Sequence, residues 1–479
     1  MENKLIKTQD VESIPISTIR EYYYKHVNPG IPKFLSMLGF DKIEPGYAQG
    51  LFIYTKCGRK IYDFTGGISV LNLGHNHPRI LKVRREFAEK KRPEVWKAFL
   101  SPYLAALSKN LSAICPQGLN YPFFCNSGAE ANEGALKIAE KYQGPDKKKI
   151  IYTDISYHGK THATMSVSGC ETSRSHFKLL DGCISIPYGN WAAFDDLIKG
   201  SCNGYSKDND IIAIILEAIH AEGVIVPAKG YLKNIRRLCD EYGILMIVDD
   251  IFCGFGRTGK MFSFEHEGIT PDIFTVSKSL GGGKASIAAY IAKDHIFKKA
   301  YGGMEDAMMH TTTFNGLGEE CYTAIEAINV LIEEGLIENS MNMGEYFLSM
   351  LIGLKNKYPG LINEVRGIGL LINVELKRPA EKLINIFGKF SSFINEFSEG
   401  FLTGIIMSLL LYKYNILVYA GQHNKSSICI NPALIVKREE VEYFINSFDD
   451  LLSMNIVNML KDYAAMKIKS SGALKMGGG

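Results

Sequence analysis

Ten cysteines are scattered along the 479 residues, at 57, 115, 125, 170, 183, 202, 239, 253, 321 and 429, and no two of them stand as C-x-x-C. That argues against a disulfide framework and against a structural zinc site, and it fits a reducing, cytoplasmic setting. No cluster of metal-ligand residues is evident, so no metal is expected. Charge bias is missing as well: 54 Lys+Arg face 51 Asp+Glu, a formal net charge of +3. Without a basic or acidic block, nothing calls for nucleic acid or an anionic membrane as a partner. The longest uncharged apolar run, GFLTGIIMSLLLY at 400–412, is too short for a bilayer span, which takes about 20 residues. A buried helix or a substrate-facing wall is the expectation there. MENKLIKTQDVES at the N-terminus has no apolar signal core. No internal repeat is found, and GFGRTGK at 254–260 lacks the spacing of a phosphate-binding P-loop.

What is present is an alternation. After a polar N-terminal arm, helical patterns are interleaved with short apolar runs: YPFFCN, KKIIYTD, IIAIILE, GILMIVDD and PDIFTVSK. Short apolar runs between helices predict a mostly parallel sheet covered on both faces, an α/β arrangement. Beyond about 331 the texture changes to helix, strands (EVRGIGLLINVEL, NILVYAG) and helix, which predicts a smaller α+β domain. The expected division is an N-terminal arm and segment at 1–77, a large domain at 78–330, a small C-terminal domain at 331–468, and a disordered tail or cloning scar at 469–479.

Three of the predicted strands finish on an ionisable residue: Glu217, the Asp249–Asp250 pair, and Lys278. In open α/β sheets ligands gather at the carboxyl ends of strands. Burying three charges there is costly unless they are paired or used. A desolvated lysine has a lowered pKa and becomes an amine nucleophile able to form a Schiff base. A nearby aspartate suits a cationic heteroaromatic nitrogen, the pairing that pyridoxal phosphate chemistry needs. Three glycines, 281–283, follow two residues after Lys278 and let backbone approach something closely. In FFCNSGAEANEGALKIA a strand runs into a small-residue turn, Ser127-Gly128-Ala129, and then a helix whose first N–H groups suit a phosphate. Tyr157, beside His158 after KKIIYTD, is placed to stack on a flat ring.

These pieces, in this order, resemble the class III aminotransferases, the ornithine, 4-aminobutyrate and putrescine group with fold type I. The similarity covers about residues 45–455. It rests on DFTGGISVLNLGHNHP, NSGAEANE, YHGKT, IVDDIFCGFGRTGKMFSFEHEGITPDI and SKSLGGG. The resemblance implies a pyridoxal 5′-phosphate-dependent transaminase acting on a primary or ω-amine, a diamine or an ω-amino acid, with a carbonyl acceptor. It implies that Lys278 carries the cofactor as a Schiff base and that Asp249 pairs with the pyridinium nitrogen, supported by Glu217. Ser127, Gly128 and Ala129 would hold the phosphate, and Tyr157 would stack on the ring. Thr313, in HTTTFNG, would reach the phosphate of a second subunit, which implies a homodimer with shared active sites. Ile68, Ser69, Glu222, Phe252 and Cys429 are the implied substrate-pocket residues.

Four departures from the family pattern bear on specificity. Phe252 stands where a glutamine is usual, and Ala218 and His220 replace Pro and Gln in EAIHAEG. NGLGEE brings Glu319 and Glu320 to a predicted helix start, where acids are favoured; steering of a cationic amine is the alternative. Cys429, in ICINPAL, occupies the place of an arginine that binds a substrate carboxylate bidentately, so Glu222 would lose its partner unless another cation such as Lys425 replaces it. With the apolar stretch 383–412, this raises an apolar or carboxylate-poor substrate. An aminomutase or amino-acid epimerase on the same scaffold, or a cofactor-binding protein without catalysis, are the competing readings.

Overall fold

The computed structural model describes residues 5–169, 174–201, 209–377, 400–421 and 424–472. Its centre is a seven-stranded sheet built from β4 (Leu119–Cys125), β5 (Lys149–Thr153), β6 (Cys183–Ile186), β7 (Ile211–Glu217), β8 (Leu245–Asp249), β9 (Ile273–Val276) and β10 (Ala288–Lys293), in the order β4-β10-β9-β8-β7-β5-β6. Neighbours are parallel except around β10, which is antiparallel to both β4 and β9. Every residue of β7, β8 and β9 is buried, which is why these strands read as unbroken apolar runs. Their side chains divide by parity between two cores. Ile214, Leu216, Met246, Val248, Phe274 and Val276 join one, with the helices Tyr231–Tyr242 and Gly318–Glu333. Ala213, Ile215, Leu245, Ile247 and Ile273 join the other, under the helix Gly128–Gln143. This is the α/β architecture expected, with helices on both faces of a mostly parallel sheet.

Two smaller sheets flank it. β11 (Ile362–Ile368), β12 (Leu371–Leu376), β14 (Tyr419–Ala420) and β15 (Ser427–Ile430) form an antiparallel sheet in the order β11-β12-β15-β14. β1 (Pro45–Gln49), β2 (Phe52–Thr55) and β3 (Lys60–Asp63) form a meander completed by β13 (Ile416–Leu417), parallel to β3. The N-terminal segment is thereby tied to the C-terminal part of the chain. The helix Ile456–Gly472 continues into the stretch expected as a tail, and 473–479 lie outside the described residues.

Of the apolar stretch 383–412, residues 383–399 lie outside the described residues. The rest belongs to the helix Phe401–Tyr414, buried from Ile405 to Leu411. Ser408 Oγ donates to Leu38 O at 3.0 Å and Tyr412 OH to Gly39 O at 2.5 Å, so this helix is packed against the N-terminal arm as a core element. No described helix is long and apolar enough to cross a membrane.

Candidate active site

The ends of β7, β8 and β9 stand side by side. Glu217 and Asp249 are register partners across β7 and β8, and Asp249 pairs in register with Thr275 of β9. Lys278 follows at the first turn beyond β9, with a left-handed φ of +46°, a conformation that costs a non-glycine residue about a kcal/mol or more. β4 and β5 end at the same edge and lead into Ser127 and Tyr157.

Asp249 is buried and held from two sides. Its Oδ2 accepts from Asn132 Nδ2 at 2.7 Å and lies 2.8 Å from His158 Nδ1, while Oδ1 accepts from the Ile251 N–H at 3.0 Å. Asn132 is itself fixed, donating to His158 O at 2.8 Å and accepting from Thr275 Oγ1 at 2.7 Å. These donors fix the position of the buried carboxylate. His158 Nε2 is buried without a hydrogen-bond partner among the described residues.

The carboxylate of Glu217 does not bond to Asp249. It accepts from the Tyr157 N–H (3.0 Å) and the Ala221 N–H (3.1 Å), and lies 3.0 Å from His220 Nδ1. Burial opposes its ionisation, yet His220, with His158 and the Ala221 N–H, holds its pKa down at about 2. Burial likewise opposes a charged His220, but Glu217 outweighs it and raises the imidazole above its ordinary value. A buried ion pair thus fixes the loop that carries Tyr157.

Lys278 Nζ lies 4.0 Å from the centroid of the Phe252 ring. Burial pushes its amine below the ordinary lysine value, against the opposing pull of Asp249 and Glu217. The three glycines that follow approach protein: a Cβ on Gly283 would meet Leu71 Cδ2 at 2.6 Å, and one on Gly282 would meet Ala327 and Ile80 at 3.1 Å.

At the start of the helix Gly128–Gln143, Ser127 is the N-cap, accepting from the Glu130 N–H at 3.3 Å. As the first two helical residues, Gly128 and Ala129 have N–H groups with no intrahelical acceptor. A Cβ on Gly128 would meet Ile251 Cδ1 at 2.8 Å, so the turn sits tight against the segment leaving β8. Tyr157 is partly exposed beside it.

The remaining pocket residues are spread around this edge. Ile68 and Ser69 have left-handed φ values of +60° and +62°; Ile68 is exposed, whereas Ser69 is buried with its Oγ unpartnered. Cys429 is buried on β15, accepting from Asn373 Nδ2 at 3.6 Å, and burial pushes its thiol up to about 11. Glu222 lies near Cys429 and Lys278. Lys425 is exposed in the turn before β15. Arg366, on β11, was not anticipated. Its Nε donates to Gly223 O at 2.8 Å and its Nη2 to Glu375 at 2.8 Å and Asn373 at 3.3 Å, and Nη1 pairs with Glu364. Glu319 and Glu320 pair with Arg84, at 2.9 and 3.5 Å, at the start of the helix Gly318–Glu333, the electrostatic arrangement of a helix N-terminus. Thr313 is exposed in the surface segment 303–316, beside a cleft of about 710 Å³ lined by Trp96, Leu100, Phe123, Tyr301 and His310. No bond links Thr313 to Lys278 among the described residues, nor does any trio of His, Cys, Asp or Glu there form a metal-binding group.

Asn132 and Thr275, which complete the Asp249 clamp, and Arg366 were missed by the sequence reading. The one signal for Asn132 was a polar residue on an otherwise small-residue helix face one turn after Gly128.

The sequence profile of the family described as aminotransferase class-III matches residues 42–452. The chain belongs to the class III aminotransferase family. This aminotransferase accordingly takes pyridoxal 5′-phosphate as its cofactor. Among solved structures it resembles acetylornithine aminotransferase from Elizabethkingia anophelis (26% identity, TM-score 0.73, 91% of this chain and 98% of that one). It also resembles an (S)-enantioselective omega-transaminase from Thermomicrobium roseum (24%, TM-score 0.78, 96% and 100%). A third is ornithine aminotransferase from Toxoplasma gondii, described with partial occupancy of PLP at its active site (24%, TM-score 0.73, 96% and 99%).

Proposed function

We propose that this aminotransferase moves an amino group from a primary or ω-amine, a diamine or an ω-amino acid to a carbonyl acceptor, with the cofactor held covalently at Lys278. The observation that carries the reading is the juxtaposition at adjacent strand ends of a desolvated lysine and an aspartate clamped by Asn132 and His158. Pyridoxal phosphate, when bound, supplies a ring that accepts the electrons left on the substrate carbon. The residues fit it. Ser127, Gly128 and Ala129 offer unclaimed N–H groups and a helix N-terminus to the phosphate. Asp249 offers a fixed negative charge to the ring nitrogen, and Tyr157, anchored through its N–H by Glu217, offers an aromatic face. With the cofactor bound, Lys278 Nζ would be the general base that takes the proton from the substrate carbon and then the general acid that delivers it to a different carbon, the transfer that distinguishes transamination from racemisation.

The pocket favours a carboxylate-poor substrate. A neutral, buried thiol stands at 429, and one nearby cation, Arg366, is engaged by Glu364 and Glu375. The enzyme works as a homodimer: exposed Phe99, Leu100 and Met308 line the same cleft as Thr313, and Met304 and Phe314 are exposed in the segment that carries it, an apolar face that a second copy would cover. Thr313 then serves the phosphate of that copy. The division into an N-terminal segment, a large domain and a small domain is part of the same reading, as is a cytoplasmic location.

The test is the visible absorption of the purified protein as single amines are added without an acceptor. A yellow band that bleaches with a diamine or alkyl amine, and is absent in Lys278→Ala, is the expected result. A band that no amine discharges, with racemisation or rearrangement of an amino acid instead, would make the enzyme an isomerase. Light scattering that finds only monomers at micromolar concentration would remove the dimer.

A further inference from the structure

Lys278 has an aromatic neighbour. Phe252 presents its ring to Nζ at 4.0 Å from the centroid, well within the roughly 6 Å over which a ring face attracts an ammonium. The ring is not a loose surface group. It is packed against a buried cluster of Ile219, Ala221, Val224, Cys253 and Leu371, with Ile368 alongside, which draws on the segments after β7 and β8 and on the turn joining β11 to β12. The backbone next to it is also tied down, because Cys253 Sγ donates to Ile219 O at 3.5 Å. The orientation of the ring is therefore set by two parts of the fold at once. A phenyl group has no hydrogen-bonding atom, so what it offers to a group in this site is its face.

We propose that Phe252 is a positioning residue for Lys278 whenever the lysine is not joined to the cofactor, its ring face then holding the ε-ammonium between the carboxylates at the ends of β7 and β8 and the apolar cluster behind the ring. The inference rests on the reading of Lys278 as the reacting amine. The groups that bear on this nitrogen are Asp249 from β8, Glu217 from β7, Glu222 from the segment after β7 and Cys253 from the segment after β8. The three carboxylates favour the ammonium by charge, and the ring favours it by its quadrupole, whereas burial favours the neutral amine. Removing the face while keeping the apolar wall leaves the charges and the burial in place. The proton then leaves Lys278 at lower pH, and the free lysine is a weaker base.

The experiment uses the full chain after dialysis against cysteine to draw off bound pyridoxal phosphate. Lys278 is labelled by reductive methylation with formaldehyde and cyanoborohydride across a pH series, and its peptide is quantified by mass spectrometry. In Phe252→Leu the labelling midpoint should fall by about half a unit to one and a half units, the equivalent of a buried cation–π contact. At a fixed pH below the midpoint this is about three- to thirtyfold faster labelling. Phe252→Tyr, which keeps the face, should stay at the parent midpoint. Phe252→Met gives the same readout as Leu if the Leu variant does not fold. Midpoints in Leu and Met equal to the parent's would overturn the proposal. A visible cofactor band that survives Lys278→Ala would instead overturn the reading of Lys278 as the attachment point, and the midpoint shift would remain measurable.

Discussion

Asp250, next to Asp249, is buried and forms no ion pair among the described residues. Its carboxylate accepts from the Ser263 N–H at 3.1 Å and from the Ser263 hydroxyl. Burial raises its pKa from 3.8 to about 8, with Asp249 adding to the rise and the Ser263 hydrogen bonds opposing it. A carboxyl group with a folded pKa above its unfolded value stabilises the fold fully below the unfolded pKa, and that contribution is lost as pH rises through the folded one. The relevant window therefore runs from pH 4 to 8. Over it the unfolded chain gives up a proton that the folded chain retains, at ~1.4 kcal/mol per pH unit. Between pH 5 and 8 this amounts to about 4 kcal/mol from a single group. Asp250→Asn cannot ionise, and its amide oxygen can still accept from Ser263, so the variant escapes the loss. Unfolding entropy of ~1 kcal/mol per kelvin for a chain this long converts the difference to about 4 °C. Tm should be measured for parent and variant at pH 5.0 and pH 8.5 in matched ionic strength. The variant-minus-parent gap is expected to move in the variant's favour by about 4 °C at the higher pH; other titrating groups cancel in the comparison. A gap that stays constant across the two pH values, or moves the other way, would refute the argument that burial keeps this carboxyl protonated.

Three further outcomes are expected. Asn132→Ala removes one of the donors on Asp249 Oδ2 and should weaken pyridoxal phosphate binding about 10- to 100-fold in an absorbance titration, since a lost hydrogen bond to a buried charge is worth ~1.5–3 kcal/mol. Gly66→Ala combines a φ of +51° with a Cβ placed 2.2 Å from Asn431 O. Because neither backbone segment can yield cheaply, a loss of ~3 kcal/mol or more should appear as a lower Tm. Cys429→Arg would set a guanidinium near Glu222, and kcat/KM for 2-oxoglutarate should rise at least ~10-fold, the effect of about 1.4 kcal/mol of added carboxylate binding. An unchanged ratio would mean that the thiol is not what limits acceptance of a carboxylate.

The strands that carry the site were legible because of where they lie. β7, β8 and β9 are buried on both faces, so IIAIILE, LMIVD and IFTV hold only Thr275 as a polar residue short of the charges, Glu217 and Asp249 at two strand ends and Lys278 two residues beyond the third. Those charges mark the strand ends and the site together. The clamp on Asp249 was not legible for the opposite reason. Asn132 sits in the second turn of a helix, and Thr275 is an unremarked β-branched residue inside a strand. They meet Asp249 only once β8 and β9 pair in register and the helix lies across them. The sequence shows polarity along the chain, whereas a hydrogen bond between positions 143 residues apart belongs to the packed sheet.

The same distinction separates two kinds of departure from the family pattern. At Cys429 the resemblance implies a missing charge, and the structure shows that one neighbouring cation, Arg366, is already paired with Glu364 and Glu375. At Phe252 the sequence identifies only a missing amide. What replaces it is a contact, and a contact depends on the position of both partners. The left-handed turn at Lys278 aims Nζ, and the cluster behind Phe252 aims the ring, so that the two meet at 4.0 Å. Either feature alone would be a packing detail. Together they change which protonation state of the lysine the site favours, and so a substitution that reads as a lost polar group acts in the fold as a means of setting when Lys278 holds its proton.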